Sequence, residues 1–317
     1  MNRMAEPVFE NVQSALERIR PFVHETPVMH SQLLDKHCGA SVYFKCEHLQ
    51  RVGAFKARGA TNAVLSLTED EAAAGVGTHS SGNHGAALAM AAAVREVPAY
   101  IVMPSNAPSV KKAAVQGYGG EVVECEPTLA ARVATLEALA AERGIHVVHP
   151  YNDPRVIAGQ GTAALELLQQ VSELDAVVVP VGGGGLLAGT ALAARHVNPE
   201  IEVIAVEPEG ADDAFRSFGL GELQPQTNPQ TIADGLRTSL GELNFGIIRK
   251  QVDTIVTVPD SRIVEAMRLQ WSRMKQVVEP SGAVSFAGLL EHPERFRGRR
   301  IGVIISGGNV DLDALPW

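Results

Sequence analysis

The chain has 317 residues, of which 45% are hydrophobic and 20% charged, and its formal charge at pH 7 is -9. This balance is typical of a globular protein with two domains or one large α/β unit, and the acidic charge argues against a nucleic-acid surface. No apolar run reaches the roughly 18 residues that a membrane span needs, and the N-terminus has no segment of signal-peptide type. Three scattered cysteines, Cys38, Cys46 and Cys125, fit reduced thiols, so we expect a cytoplasmic protein.

Strands and helices alternate along the first half of the chain. The apolar periodicity predicts an amphipathic helix over residues 8–23 and a strand over 40–47. Further on it predicts a helix over 53–67, a strand, turn and alanine-rich helix over 75–94, a strand over 98–104, a helix over 109–116, a strand over 120–126, a helix over 128–143 and a strand over 145–151.

The second half repeats this plan. Here the apolar periodicity predicts a strand over 175–181, a helix from 186 to 197, a strand over 201–210, an irregular stretch over 219–235, a strand over 252–258, helices over 261–275 and 282–290, and a strand over 300–309. Such alternation is the signature of parallel sheets covered by helices. We therefore predict an α/β protein of two doubly wound, Rossmann-like lobes with a cleft between them.

One lysine has an unusual setting. The chain contains Lys36, Lys45, Lys56, Lys111, Lys112, Lys250 and Lys275, and we expect all of these except Lys56 at the surface. Lys56 lies in the small, apolar segment GAFKARG, where a helix is predicted to begin. A lysine amine in an apolar pocket has a lowered pKa and can form a Schiff base with an aldehyde.

Two polar turns accompany this lysine. The glycine turn (residues 182–185) follows an apolar strand and opens a helix, a position at which backbone N–H groups favour a phosphate. The serine turn (residues 80–85) also opens a helix and offers N–H and hydroxyl groups to a carboxylate. A tight connection and simple helix capping are the alternative interpretations. Residues 183–188 also satisfy G-x-G-x-x-[GA], and Glu207 ends the next strand, so a dinucleotide-binding oxidoreductase is a second hypothesis.

Seven segments occur in the order FKCEHLQRVGAFKARGA, SSGNHG, PVGGGGLLAG, VEPEGADD, IADG, VEPSGA and SGGN. In these the chain resembles the fold type II pyridoxal-phosphate enzymes, specifically the serine/threonine dehydratase, serine racemase and 3-hydroxyaspartate ammonia-lyase group. The resemblance covers nearly the full length. It implies a tryptophan synthase β-like fold with the active site in the inter-domain cleft, a large domain of residues 1–52 and 150–317, and a small mobile domain of residues 53–149.

The resemblance also implies roles for individual residues. Lys56 would be the Schiff-base lysine and the base at Cα, and Ser81 the second acid/base on the opposite face. The cofactor would be held by Phe55, Lys56, Asn83, Gly182, Gly183, Gly184, Gly185, Leu186, Glu279 and Ser306. The substrate would be held by Ser80, Ser81, Asn83, His84, Arg132 and Thr238. A divalent cation (magnesium, calcium or manganese) would be bound by Glu207, the carbonyl of Ala211, and Asp213, for which an acidic surface loop is the alternative.

The implied reaction is α,β-elimination from L-serine, L-threonine or 3-hydroxyaspartate to a 2-keto acid and ammonia. Racemisation of serine or aspartate is the alternative, and a non-catalytic amino-acid sensor is a distant one. Ala54 stands where many serine/threonine members of the group have serine, and the segment GAFK is similar to that of the hydroxyaspartate ammonia-lyases. A neutral exchange of one small residue for another explains Ala54 as well. We expect Arg132 or Arg237 to read a distal carboxylate, unless these arginines pair with Glu126 or Asp234 at the surface. Members of the group are commonly homodimers.

Overall fold

The computed structural model describes residues 5–317 and arranges them around two β-sheets. The strands of this part of the chain are β1 (Val28–His30), β2 (Ser41–Cys46), β3 (Val76–His79), β4 (Ala99–Pro104), β5 (Glu121–Cys125), β6 (His146–Val147), β7 (Ala176–Pro180), β8 (Glu202–Pro208), β9 (Thr254–Val258) and β10 (Arg300–Ile305).

Both sheets are built mainly from parallel strands. The larger sheet has the order β1-β2-β10-β7-β8-β9, and within it only β1 is antiparallel to its neighbour. The smaller sheet, β5-β4-β3-β6, is parallel throughout. This topology confirms the predicted α/β class with two doubly wound units.

Helices cover the faces of the two sheets. They are α1 (Phe9–Ile19), α2 (Gln32–Cys38), α3 (Lys56–Leu65), α4 (Glu69–Ala72), α5 (Asn83–Arg95), α6 (Ser109–Gly117), α7 (Leu129–Arg143), α8 (Pro154–Gln170), α9 (Gly185–Val197), α10 (Asp213–Leu220), α11 (Glu242–Gln251), α12 (Asp260–Leu269), α13 (Pro280–Glu291) and α14 (Pro293–Phe296). Short 3₁₀ turns lie at Glu47–Leu49, Arg51–Gly53, Glu209–Ala211 and Asp234–Leu236. Within residues 5–317, none of the helices combines the length and the apolar composition needed to span a bilayer.

The central strands of the larger sheet are buried on both faces. In β7, Val177 and Val179 join the apolar core on one face, while Ala176 and Val178 join the core on the other. A strand with two buried faces needs apolar residues at successive positions, which is why the sequence shows a continuous run here instead of an alternation.

Several elements differ from the sequence prediction. The long helices α8 and α11 have no predicted counterpart, and neither do the shorter β1, α2, α4, α10 and α14. The strand expected over 145–151 is reduced to β6. The N–H of Val148 still donates to Gly77 of β3, but residues 149–151 leave the sheet edge, and the carbonyl of Pro150 accepts from the Lys56 amine. The helix expected over 261–275 ends as an α-helix at Leu269 and continues as a π-helical turn, Gln270–Met274.

The prediction that Lys45 lies at the surface is wrong. Its side chain is fully buried, and its amine donates to Glu166 at 2.7 Å. Arg58, also fully buried, donates to both oxygens of Glu166 and to both oxygens of Glu47. Each buried charge therefore has an opposite partner, and the cluster ties α3 to β2 and α8.

Candidate active site

A cavity of about 730 Å³ lies between the two sheets, at the carboxyl ends of β3, β7 and β10. The residues predicted to hold cofactor and substrate all line it: Phe55, Lys56, Ser80, Ser81, Asn83, His84, Arg132, Gly182, Gly183, Gly184, Gly185, Leu186, Thr238, Glu279 and Ser306. The fold therefore brings together segments that lie far apart in the sequence. Their individual roles stay predictions.

Lys56 is the first residue of α3, and the loop before it is fixed by the end of β10. The N–H of Phe55 donates to the carbonyl of Ser306 at 3.0 Å, and Ala54 forms an isolated bridge with Gly307. The amine of Lys56 donates to the carbonyl of Pro150 at 2.9 Å. Burial lowers the pKa of Lys56 to about 8, because desolvation disfavours the charged amine.

The glycine turn connects β7 to the N-terminus of α9. Gly184 has a φ of +88°, a conformation that favours glycine. A Cβ at Gly183 would overlap the ring of Tyr151, so the turn also needs glycine for space. Because the first N–H groups of a helix have no acceptor within it, this turn can receive an anion.

The serine turn connects β3 to the N-terminus of α5. A Cβ at Gly85 would lie 2.8 Å from the carbonyl oxygen of Ser80, which explains a glycine in the first turn of α5. His84 is buried, and neither nitrogen of its ring has a hydrogen-bond partner in the part of the chain that the structure describes. Burial, followed by the charge of Lys56, holds the pKa of His84 well below its usual value. The ring is therefore neutral.

A further histidine, His149, lies near Lys56, which the sequence does not reveal because its spacing follows no motif. The ring Nδ1 of His149 accepts the N–H groups of Tyr151 and Asn152 at 3.3 and 2.9 Å. Burial, together with the charges of His79 and Lys56, lowers the pKa of His149 to about 4. His149 thus remains neutral and shapes the loop whose Pro150 carbonyl holds the lysine amine.

A hydrogen-bonded group connects the serine turn to the end of β10. The side-chain amide of Asn83 donates to Glu279 at 3.0 Å, and the backbone N–H of Asn309 donates to the other oxygen of Glu279 at 3.0 Å. The side-chain amide of Asn309 donates to Asn83 at 2.9 Å. Burial, followed by the charge of Asp234, raises the pKa of Glu279 to about 8, so its carboxyl is mostly protonated at neutral pH.

Two hydroxyl groups of the cavity differ in their partners. The hydroxyl of Ser306 donates to the carbonyl of Ser281 at 3.3 Å and is buried. The hydroxyl of Thr238 is buried without a hydrogen-bond partner within residues 5–317, and it lies beside Gly182. A buried polar atom without a partner inside a cavity is free to meet a ligand.

The two arginines expected to read a distal carboxylate have different surroundings. Arg237 donates twice to the carbonyl of Thr231, and Asp234 pairs with Lys111 at 2.9 Å. Arg132, near the start of α7, uses its backbone N–H for the helix, where it donates to the carbonyl of Thr128, but its side chain forms no hydrogen bond or ion pair with other residues in the range 5–317. Arg132 is therefore the arginine free to bind a carboxylate in the cavity. Lys111, which also lines the cavity, was not among the predicted site residues.

Comparison with known proteins identifies the family. The pyridoxal-phosphate dependent enzyme family matches residues 19–307 of the chain. The chain belongs to this family. It is 51% identical over 311 residues to beta-hydroxyaspartate dehydratase of Paracoccus denitrificans, a match that covers 98% of this chain and 99% of that protein. It is 47% identical to serine racemase of Dictyostelium discoideum, with 99% and 98% covered.

A solved structure agrees with this family assignment. Maize serine racemase is similar to the chain with a TM-score of 0.96 at 43% identity, over 98% of this chain and 95% of the maize chain. The cavity fits the family's cofactor, pyridoxal phosphate, in three respects: the desolvated amine of Lys56 suits its aldehyde, the glycine turn suits its phosphate, and Thr238 presents a hydroxyl without a partner.

The predicted metal residues of this family member lie outside the cavity. Glu207 at the end of β8 and Asp213 at the start of α10 are fully buried, with Ala211 between them. Burial raises the pKa of Asp213 to about 6 and that of Glu207 well above its usual value. No group of three or more histidine, cysteine or acidic side chains in the described range is arranged to hold a metal, and this set has only two carboxylates and a carbonyl.

The same geometry argues against the dinucleotide hypothesis. Both oxygens of Glu207 accept backbone N–H groups of α10, from Ala214 at 3.1 Å and Phe215 at 2.8 Å. A carboxylate engaged in this way and fully buried does not reach a ribose hydroxyl.

Proposed function

We propose that the chain is a pyridoxal-phosphate-dependent ammonia-lyase that eliminates the β-hydroxyl of an amino acid and releases a 2-keto acid and ammonia. The observation that carries this proposal is the position of the Lys56 amine, which shares one cavity with the glycine turn and the serine turn. An amine, an anion site for phosphate and an anion site for a carboxylate are the parts that this chemistry needs.

The residues of the chain supply the base and the binding groups. Pyridoxal phosphate, when bound, supplies an aldehyde and an aromatic ring that stabilises negative charge at Cα. Lys56, with a pKa of about 8, is partly neutral near pH 7 and accepts the Cα proton. Ser80 and the start of α5 hold the α-carboxylate. Ser306 would meet the ring nitrogen with a neutral hydroxyl, which leaves that nitrogen largely unprotonated and favours elimination over transamination.

We propose 3-hydroxyaspartate as the preferred substrate. Its second carboxylate needs a cation, and Arg132 is a cavity arginine without a partner among the described residues. The similarity to beta-hydroxyaspartate dehydratase supports this choice. The test is keto-acid release from L-serine, L-threonine and the threo and erythro isomers of L-3-hydroxyaspartate. Dominant turnover of serine or threonine would instead indicate a general dehydratase.

Replacement of Arg132 tests how the distal carboxylate is bound. We expect Arg132→Ala to lower kcat/KM for hydroxyaspartate by about 10- to 100-fold, the effect of one lost charged hydrogen-bonded contact, while kcat/KM for L-serine changes little. Arg143→Ala, at the other end of α7 and paired with Glu121, is the matched control. Equal losses for both substrates would contradict the assignment.

Racemisation is the second candidate function. Ser81 lines the cavity with Lys56 and would return a proton to the opposite face of Cα. The similarity to serine racemases of Dictyostelium and maize supports this alternative. Formation of D-serine or D-aspartate from the L-enantiomer, measured by chiral chromatography, would establish it.

We propose a divalent cation bound by Glu207, the carbonyl of Ala211, and Asp213. Both carboxyl groups are fully buried, and the charge of Asp213 adds to burial in raising the pKa of Glu207. Neither forms an ion pair with a basic side chain of residues 5–317. Buried carboxylates of this kind are usually stabilised by a cation, and oxygen ligands suit magnesium, calcium or manganese.

We further propose a cytoplasmic homodimer whose residues 53–149 form a small domain that moves against residues 1–52 and 150–317. All three cysteines are free, as in a reducing compartment. The ion pair between Lys111 and Asp234 joins the two parts across the cavity, so its making and breaking would accompany closure. Light scattering tests the dimer, and scattering profiles with and without substrate test the motion.

A further inference from the structure

α8 lies between the helix that begins with the catalytic lysine and the helix that begins at the glycine turn. On one side, Gly159 of α8 faces Gly59 of α3. On the other side, two residues further along α8, Gly161 faces Gly189 of α9. One helix thus contacts both of the elements that would hold pyridoxal phosphate.

The contact with α3 is made by backbone atoms. A Cβ at Gly159 would lie 2.6 Å from the Cα of Gly59 and 2.7 Å from the carbonyl oxygen of Arg58. Between the two glycines of α8, the side-chain oxygen of Gln160 accepts the N–H of Gly59 at 3.1 Å. This bond reaches the first turn of α3, directly behind Lys56.

The contact with α9 has the same character. A Cβ at Gly161 would lie 2.6 Å from the carbonyl oxygen of Gly189 and 2.9 Å from its carbonyl carbon. A Cβ at Gly189 would lie 2.5 Å from the backbone nitrogen of Gly161. Neither neighbour is the end of a flexible side chain, so an added methyl group has to move a helix. Because the distance between packed helices depends on the side chains at the contact, glycines bring these axes unusually close.

We propose that Gly159 and Gly161 are positioning residues that set the separation between the Lys56 amine and the glycine turn. The cofactor's aldehyde and phosphate are attached to one rigid ring, so both ends are satisfied only when this separation is held. The inference rests on the proposed function, since it assumes that the aldehyde meets Lys56 and the phosphate meets the glycine turn.

The test compares two ligands that differ only in the phosphate. Pyridoxal phosphate has to reach both contacts, whereas pyridoxal needs only Lys56. The Kd of each is measured by visible absorption on the full chain, stripped of cofactor with hydroxylamine, for the unmodified protein and for Gly159→Ala and Gly161→Ala. We expect the Kd of pyridoxal phosphate to rise about tenfold or more, as overpacking a helix contact typically produces, and the Kd of pyridoxal to change less than about twofold.

A glycine without close neighbours provides the control. A Cβ at Gly219, exposed in α10, would meet nothing within 4 Å, so Gly219→Ala should leave both Kd values unchanged. If Gly159→Ala or Gly161→Ala does not fold, Gln160→Ala is tested instead, because it adds no atoms and removes the hydrogen bond to Gly59. Its Kd for pyridoxal phosphate and its Kd for pyridoxal are compared in the same way. Equal weakening of both ligands, or no change, would overturn the inference. A chain that binds no pyridoxal phosphate at all would instead overturn the proposed function.

Discussion

The charge state of a few cavity residues determines what the site can do. Near neutral pH, His84 and His149 are neutral, Glu279 is mostly protonated, and Lys56 is partly neutral. Burial is the main cause in each case, because each group loses water that would stabilise its charged form. Arg132 brings a guanidinium cation to the cavity, which favours an anionic substrate.

The lowered pKa of Lys56 predicts the pH dependence of cofactor binding. Only the neutral amine attacks an aldehyde, so the rate at which the stripped chain incorporates pyridoxal phosphate should rise with pH and level off above about pH 8. An ordinary lysine would show a rise continuing to about pH 10.4. Visible absorption followed over this range checks the prediction, and a rate still climbing at the upper limit would contradict it.

The proposed role of Ser81 predicts that one substitution separates racemisation from elimination. If Ser81 has the proposed role, Ser81→Ala would leave the face of Cα opposite Lys56 without an acid or base, while Lys56 and the glycine turn stay unchanged. We expect loss of Cα inversion by about 100-fold or more, the usual value of a general acid or base, with elimination from L-substrates reduced much less. Parallel assays of D-product and keto acid measure this. Retained inversion would show that another group supplies the second proton.

Among the elements, those with a clear apolar period were predictable and α8 was not. α7 follows its predicted range closely because Thr128 caps it and its buried residues, Leu136 and Leu139, lie on one side. In α8, residues 156–167 are buried without interruption, so no polar face marks the period of a helix. The two glycines that let α8 pack closely also lower its helix propensity.

Site residues could be predicted from the sequence wherever they lie in one continuous motif. The glycine turn, the serine turn and Lys56 are each read from adjacent residues. Two of the groups that were missed, Lys111 and Asn309, act through partners far away in the chain, and only the fold brings them together. His149 binds N–H groups of its own loop, but only the fold places that loop beside Lys56. The same holds for Lys45, whose burial depends on Glu166 of α8.

The glycine turn predicts a specific effect of one methyl group. In Gly183→Ala the new Cβ would overlap the ring of Tyr151, so either the turn or the loop that ends at Tyr151 has to move. We expect the Kd of pyridoxal phosphate to rise about 10- to 100-fold, corresponding to roughly 1–3 kcal/mol of overpacking. Fluorescence quenching on titration with pyridoxal phosphate measures it, with Gly219→Ala as the control. Unchanged affinity would show that the phosphate binds elsewhere.

At the scale of the whole molecule, the proposed cation predicts a change in stability. Magnesium bound to Glu207 and Asp213 should raise the Tm, and at 100 times its Kd it should add about 2.7 kcal/mol to the free energy of unfolding. Chelation should reverse the effect, and Asp213→Asn should abolish the response. Asp212→Asn, which alters an acidic residue already paired with Arg216, is the control. A Tm that is insensitive to magnesium and chelator would exclude the site.

The arrangement of the chain around the cavity has a consequence for how new specificities arise. The serine turn and Arg132 belong to the segment that forms the smaller sheet, whereas the glycine turn, Glu279 and Ser306 belong to the surrounding chain. This segment leaves and re-enters the larger unit next to Lys56, at Phe55 and at Pro150. If the serine turn and Arg132 bind the substrate as proposed, mutations in one continuous stretch of the gene would redirect substrate choice during divergence while the glycine turn, Glu279 and Ser306 are inherited intact.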